Sequence, residues 1–244
     1  NALNSEMYER LNTAFAESEG NPDIRVRVLL GSEGVFTAGN DIVDFIEAND
    51  SGAEVIAPVL EFLRALIFTE KPIVAAIDGL AIGVGTTMLF HCDLIYATHE
   101  SVFVTPFIDL GLVPEAGSSL IAPQRMGYAA AFAMLVAGKP LTAEGAVRSH
   151  LINAIVPRAN LEAHAMERAT KLATKPQHAM AMSRKLLRGD PYFIWQRVQE
   201  EARLFKECLG SPEARAAFEA FTQRTSQGQA QQVSGHDNPG EHTT

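Results

Sequence analysis

Between Pro72 and Gly83 the chain reads "PIVAAIDGLAIG", with Asp78 its one charged residue. A strand with one wet face alternates apolar and polar side chains, and this run does not. It predicts a single buried strand ending in glycines, which needs other elements packed around it. The rest of the pattern supplies them. Residues 5–18 have helical spacing (Met7, Leu11, Phe15). "IRVRVLL" (24–30) alternates and then turns apolar, as a strand entering a core does. Residues 53–68 form an amphipathic helix, "VGTTMLFH" a short apolar one, and "DLIYATH" and "SVFVTP" two further strands. Residues 118–137 read as two helices broken near Gly127, and "LTAEGAVRSHL" as another with Thr142 as N-cap and Glu144 in its first turn. "INAIVP" is a short strand or extended exit. From 160 to about 224 the pattern is helical, broken at "TKPQ" and "RGDP". Strands alternating with helices, then helices alone, predict an α/β core carrying a helical appendage.

With 47% hydrophobic residues, a chain of 244 can bury a sizeable core without staples. Its 20 basic and 29 acidic residues give a net charge of −9. That balance argues against a nucleic-acid binder, which works by neutralising phosphates. No apolar run reaches the roughly 18 residues of a membrane span. Cys92 and Cys208 form no disulfide framework or zinc spacing, which points to a reducing compartment. The expected localisation is cytoplasmic. The chain opens "NALNSEMYERL" without Met, so a natural start, and any targeting segment with it, is expected upstream. The polar stretch 226–244 is expected to be a disordered tail.

Three stretches can carry chemistry. In "FTAGND" (36–41) a glycine lets the backbone approach a ligand, and the amides after it are unpaired at a helix start. A merely capped turn reads the same way. "GLAIGVGTT" (79–87) lacks the Lys-Ser/Thr of a phosphate-binding P-loop and the G-x-G-x-x-G spacing. Gly83 and Gly85 serve either close packing or a helix whose first amides face an anion. In "DLGLVPEAGSS" (109–119), Glu115 is either a helix-start carboxylate or an acid/base. Its neighbours Leu112, Val113, Pro114 and Ala116 are apolar, and a dry site raises a carboxyl pKa toward the range useful for proton transfer. His91 and His99 lack partners at metal-ligand spacing. His91 is read as packing or bonding to backbone, and Cys92 as core. Ser118 and Ser119 show no His–Asp pairing.

Taken together, "NALN", "FTAGND", "KPIVAAIDGLAIGVG", "HCDLIYAT", "LGLVPEAGSS" and "GKPLTAEGAVRSHLINAIVP", in this order, resemble the crotonase superfamily, the enoyl-CoA hydratase/isomerase group. The resemblance runs from the N-terminus to about residue 224. It implies a ClpP-like spiral core of ββα units over 1–157 and a helical oligomerisation region over 158–225. It also implies an acyl-CoA thioester substrate, with coenzyme A as part of that substrate and no separate cofactor, and a homotrimer or dimer of trimers. The thioester oxygen would be held by the backbone N–H groups of Asn40 and Val84, an oxyanion hole. Ala38, Gly39, Asp41, Ile42, Gly83, Thr87, Phe107 and Leu112 would line the substrate site, with Phe103 a further candidate for its apolar wall. Lys71, Lys139, Arg184 and Lys185 are candidates for the coenzyme A phosphates.

The departures from the family pattern set the expected reaction. Hydratases of the group carry two glutamates, and the matching positions here are Thr87 and Phe107. Glu115 remains, as in the peroxisomal-type Δ3,Δ2-enoyl-CoA isomerases that this sequence most resembles. The expectation is therefore an isomerase moving a proton between C2 and C4 with one carboxyl group. The alternatives are a hydratase or other crotonase-type lyase using Glu115, and an inactive acyl-CoA-binding or interaction module.

Overall fold

The computed structural model describes residues 2–41 and 56–220. Ile42, the start of the helix expected from residue 53, and the tail lie outside the described residues. Helix α1 (Ser5–Gly20) is followed by β1 (Arg27–Leu30), β2 (Val35–Thr37) and α2 (Ile56–Phe68). Next come β3 (Ile73–Ile77), β4 (Leu80–Ile82), α3 (Val84–Thr87), β5 (Leu94–Ala97) and β6 (Val102–Val104). Helices α4 (Ser118–Met126) and α5 (Tyr128–Leu135) lead to β7 (Leu141–Thr142), α6 (Ala143–Arg148) and β8 (Ala154–Ile155). The chain continues through α7 (Leu161–Ala173), α8 (Gln177–Arg188), α9 (Pro191–Leu209) and α10 (212–220).

The strands form two four-stranded sheets, ordered β1-β3-β5-β8 and β2-β4-β6-β7. Pairing is parallel except between β6 and β7. Each pass of the chain gives one strand to each sheet and then moves on, so the strands advance as a spiral of strand pairs. The run "PIVAAIDGLAIG" is therefore two strands, not the single one its apolar pattern predicts. It breaks at Asp78–Gly79, where Gly79 takes a left-handed φ of 76°. A Cβ on Gly79 would lie 1.8 Å from the Gly34 carbonyl oxygen, so the corners of adjacent turns stack backbone on backbone.

Asp78 ties those corners together. Its Oδ2 accepts from the Gly34 N–H (3.0 Å), and its Oδ1 accepts from the Thr98 hydroxyl (2.9 Å) and from Arg158 Nε (2.9 Å). Burial alone would raise its pKa. The hydrogen bonds outweigh that and hold the carboxyl group below its ordinary value.

The apolar run is explained by cover on both faces. Ile73, Ala75 and Ile77 join the main core with Leu66, Leu89 and Phe103. Val74 and Ala76 face a second cluster made with Leu161, Ala165 and Ala169 of α7. Phe103 is fully buried in the core and does not line the cleft described below, contrary to expectation. Parallel neighbours β2 and β4 end side by side, and the loops leaving their carboxyl ends build the site.

Candidate active site

The loop after β2 and the loop after β4 are in backbone contact. Gly39 has a φ of 87°, and a Cβ there would sit 2.8 Å from the Ile82 carbonyl oxygen. Only glycine permits both the dihedral and the approach. Leu3 pins the first loop: its N–H donates to Gly39 O (2.7 Å), and its carbonyl accepts from Asp41 N–H (3.0 Å). This pattern leaves the Asn40 amide out of the ladder. In the second loop the Gly83 carbonyl accepts from the amides of Thr86 and Thr87 (2.9 and 3.0 Å). The Val84 amide, at the first position of α3, has no partner within its helix. No described residue accepts from either amide.

Ala38, Gly39, Asn40, Ile82, Gly83 and Val84 line one side of a cleft of about 940 Å³. Phe107 and Leu112 line it too, and the C-terminal helices contribute Phe205, Leu209 and Phe218. Glu115 lines a smaller, largely apolar pocket of about 40 Å³ with Leu63, Ala116 and Val198. Asn40 and Phe205 border both spaces, so the carboxyl group lies next to the cleft.

Glu115 is 8% exposed. Burial pushes its carboxyl group up to about 7; a Thr87 hydrogen bond opposes the shift and the charge of Glu201 adds to it. The Thr87 hydroxyl donates to Glu115 Oε1, and Oε2 makes no hydrogen bond among the described residues. Thr87 was expected only as a lining residue where a glutamate is missing. Here it is fully buried and orients the carboxyl group that remains. Across the pocket, the Tyr8 hydroxyl donates to Asn40 Oδ1. Burial first, then the Glu115 charge, holds the Tyr8 phenol protonated well above its ordinary pKa.

The backbone after Glu115 is unusual. Ala116 and Gly117 are both left-handed, with φ of 63° and 72°. The carbonyl of Ala116 is met by His91 Nε2 at 2.7 Å, and the Glu115 carbonyl by the Ser118 hydroxyl at 2.5 Å. Ser118 is thus spent on the turn. His91 bonds to backbone, as the sequence indicated, and burial drives its pKa down to about 3. Burial pushes the Cys92 thiol up to about 12, the state of an inert core cysteine. No group of three or more His, Cys, Asp or Glu side chains suited to a metal occurs among the described residues.

Other expectations fall elsewhere. Asp41 is half-buried but does not line the cleft. None of the four cations proposed for coenzyme A phosphates lines it either. Lys71 donates to the carbonyls of Ser18 and Asn21, and Arg184 is bound to Asp93 (2.8 Å) and the Thr69 carbonyl. Arg184 and Lys185 border a separate recess of about 180 Å³ beside α8.

Glu201 was missed. It is 4% exposed and accepts from the Gly117 and Ser119 amides and the Ser119 hydroxyl at the start of α4. A signal existed: it lies on the inward stripe of α9 formed by Ile194, Val198, Phe205 and Leu209, where helical spacing asks for an apolar residue.

Among solved structures, the chain is similar to an enoyl-CoA hydratase/isomerase from Pseudoalteromonas atlantica T6c. The TM-score is 0.85 with 37% identity, covering 91% of this chain and 88% of that one. The fold is that of the crotonase class. In sequence it is 33% identical over 225 residues to rat enoyl-CoA delta isomerase 2, covering 86% of this chain but 56% of the rat protein. It is 31% identical over 226 residues to a probable enoyl-CoA hydratase of Rhodobacter capsulatus, covering 92% and 87%. The family model described as enoyl-CoA hydratase/isomerase matches residues 1–230. The chain belongs to the enoyl-CoA hydratase/isomerase family and spans about half the length of the delta isomerases it matches.

Proposed function

We propose that this chain is an enoyl-CoA isomerase that converts 3-enoyl to 2-enoyl thioesters, with Glu115 as its single acid/base. The observation that carries the reading is a carboxyl group at a pKa of about 7, the one carboxyl group lining a small apolar pocket beside the two glycine loops. A group poised near neutrality both accepts and returns a proton at physiological pH. The thioester oxygen accepts from the Asn40 and Val84 amides. Glu115 removes a C2 proton, and the charge passes onto that oxygen as a dienolate. The resulting carboxylic acid delivers the same proton to C4, leaving the double bond between C2 and C3. Donors of this kind are worth roughly 3–4 kcal/mol in a transition state.

Thr87 holds Oε1, so Oε2 faces the substrate in this reading. Phe107 and Leu112 favour an acyl chain over water in the cleft. Coenzyme A enters as part of the substrate. Relatives carry both isomerase and hydratase names, and hydration requires a held and activated water, for which the positions of Thr87 and Phe107 offer no second carboxylate. Exposed apolar residues on α8 and the start of α9, among them Leu186 (84% exposed) and Leu187 (88%), support association with further copies of this chain.

The test is to offer purified protein 3-enoyl-CoA and, separately, 2-enoyl-CoA in water. Conversion of the first without hydration of the second supports the isomerase, and Glu115→Gln should abolish it while acyl-CoA still binds. Formation of 3-hydroxyacyl-CoA at comparable rate would favour the hydratase. Tight acyl-CoA binding with no turnover of either would favour a binding module.

A further inference from the structure

Among the described residues, Glu201 is the one buried carboxylate near the site that the reaction above does not use. It comes from α9, more than eighty residues downstream of the turn it touches. Its Oε2 accepts from the Gly117 N–H at 2.6 Å. Its Oε1 accepts from the Ser119 N–H at 3.0 Å and the Ser119 hydroxyl at 2.5 Å. Arg197 Nη1 reaches the same Ser119 hydroxyl at 3.3 Å. Three donors converge on one carboxyl group, which is the arrangement of an ionised acceptor. The first turn of α4 has no side-chain cap from its own N-cap, Gly117, so Glu201 fills that role from another element. What it fixes is the Ala116–Gly117 pair, two successive left-handed residues immediately after Glu115. Left-handed backbone at a non-glycine persists only where surrounding contacts determine it. His91 holds the Ala116 carbonyl from one side, and Glu201 holds the Gly117 amide from the other.

We propose that Glu201 is the positioning residue of Glu115: its carboxylate clamps the strained turn that aims the acid/base at the cleft. The inference rests on the reading of Glu115 as the acid/base. Glu201 also acts at a distance as a like charge that raises the affinity of Glu115 for its proton. The other polar and titratable groups facing this pair are Tyr8 from α1, Thr87 from α3, His91 after it, and Arg197 from α9. The Tyr8 phenol stays neutral, and so does the His91 ring near pH 7. Arg197 is a cation that favours the ionised form of Glu201. Burial raises the Glu201 pKa above its ordinary value, and the Ser119 and Gly117 donors reduce that rise without cancelling it.

The experiment titrates Glu115 directly, by carboxyl carbon NMR, in the wild type and in Glu201→Gln. Glu115→Gln identifies the resonance. Gln at 201 keeps size and one acceptor but brings no charge and sets an NH2 against one of the amides. The expected result is a Glu115 midpoint lower than in the wild type, with 3-enoyl-CoA turnover reduced on the order of 10²-fold and KM nearly unchanged. Should Glu201→Gln fail to fold, Ser119→Ala is measured instead. It removes one donor to Glu201, raises the Glu201 pKa, and lowers the Glu115 midpoint by less. An unchanged midpoint in the folded variant overturns the proposal, whether or not turnover falls, because a purely structural cap would leave it unmoved. The titration needs no catalysis, so absence of isomerase activity in the wild type overturns the functional reading and leaves this result standing.

Discussion

A carboxyl group buried for catalysis stabilises the fold only while it keeps its proton. Glu115 ionises near 4.5 in an unfolded chain and near 7 in the folded one. Between those values the unfolded state releases its proton first, so stability falls as pH rises and stays lower above about 7. Glu115→Gln should therefore be inactive and yet more stable, by roughly 2–4 kcal/mol at pH 8 and by little at pH 4.5. Thermal unfolding at the two pH values measures this. Activity runs the other way: kcat/KM in the wild type should rise with pH through about 7, as the base becomes ionised. The position of Glu115 beside the cleft was legible in "LVPEAGSS" because apolar neighbours and glycine announced a dry turn. Its contact with Thr87 was not, since residues 28 apart meet only when α3 and the turn fold together. Glu201 was harder still, visible only as a charge on an apolar stripe.

At the scale of elements, the two loops stand together because strands β2 and β4 are parallel and their glycines allow backbone contact. Gly85 shows how tightly this is set. A Cβ there would lie 2.3 Å from Thr37 Cγ2, and Thr37 Oγ1 in turn accepts from the Gly39 N–H at 3.1 Å. Gly85→Ala should push Thr37, and through it the Asn40 loop. The expected loss is about 1–3 kcal/mol of stability and a larger fall in kcat/KM, on the order of 10²-fold. Comparing denaturant midpoints with turnover separates the two. Asp78 tests the spiral itself. Its depressed pKa contributes stability that is present above its ordinary value of 3.8 and lost as pH falls through the folded value. Asp78→Asn should cost about 1–3 kcal/mol at pH 7, with the difference from wild type shrinking below about pH 3.8 in pH-dependent unfolding. The strand Ile73–Ile77 was evident in the sequence. The corner after it was not, because an apolar run that turns from one buried sheet into another never changes its hydrophobic pattern.

For the molecule as a whole, α9 brings Phe205 and Leu209 to the cleft, while α8 and the start of α9 bring other apolar side chains to the surface. Leu186 and Leu187 are among the exposed ones, and the proposed association would cover them. Light scattering should find a homotrimer or a dimer of trimers. Leu186→Asp with Leu187→Asp should give a smaller species, whereas a wild-type monomer at micromolar concentration would contradict the expectation. In the proposed reaction one carboxyl group carries one proton from C2 to C4 inside a water-excluding site. The most direct measurement is turnover of 3-enoyl-CoA deuterated at C2, followed by mass and NMR analysis of the 2-enoyl product. A single-carboxyl shuttle delivers the abstracted deuterium to C4, where it is retained. A C4 that carries only solvent hydrogen, or a 3-hydroxyacyl product in place of the 2-enoyl thioester, would contradict it.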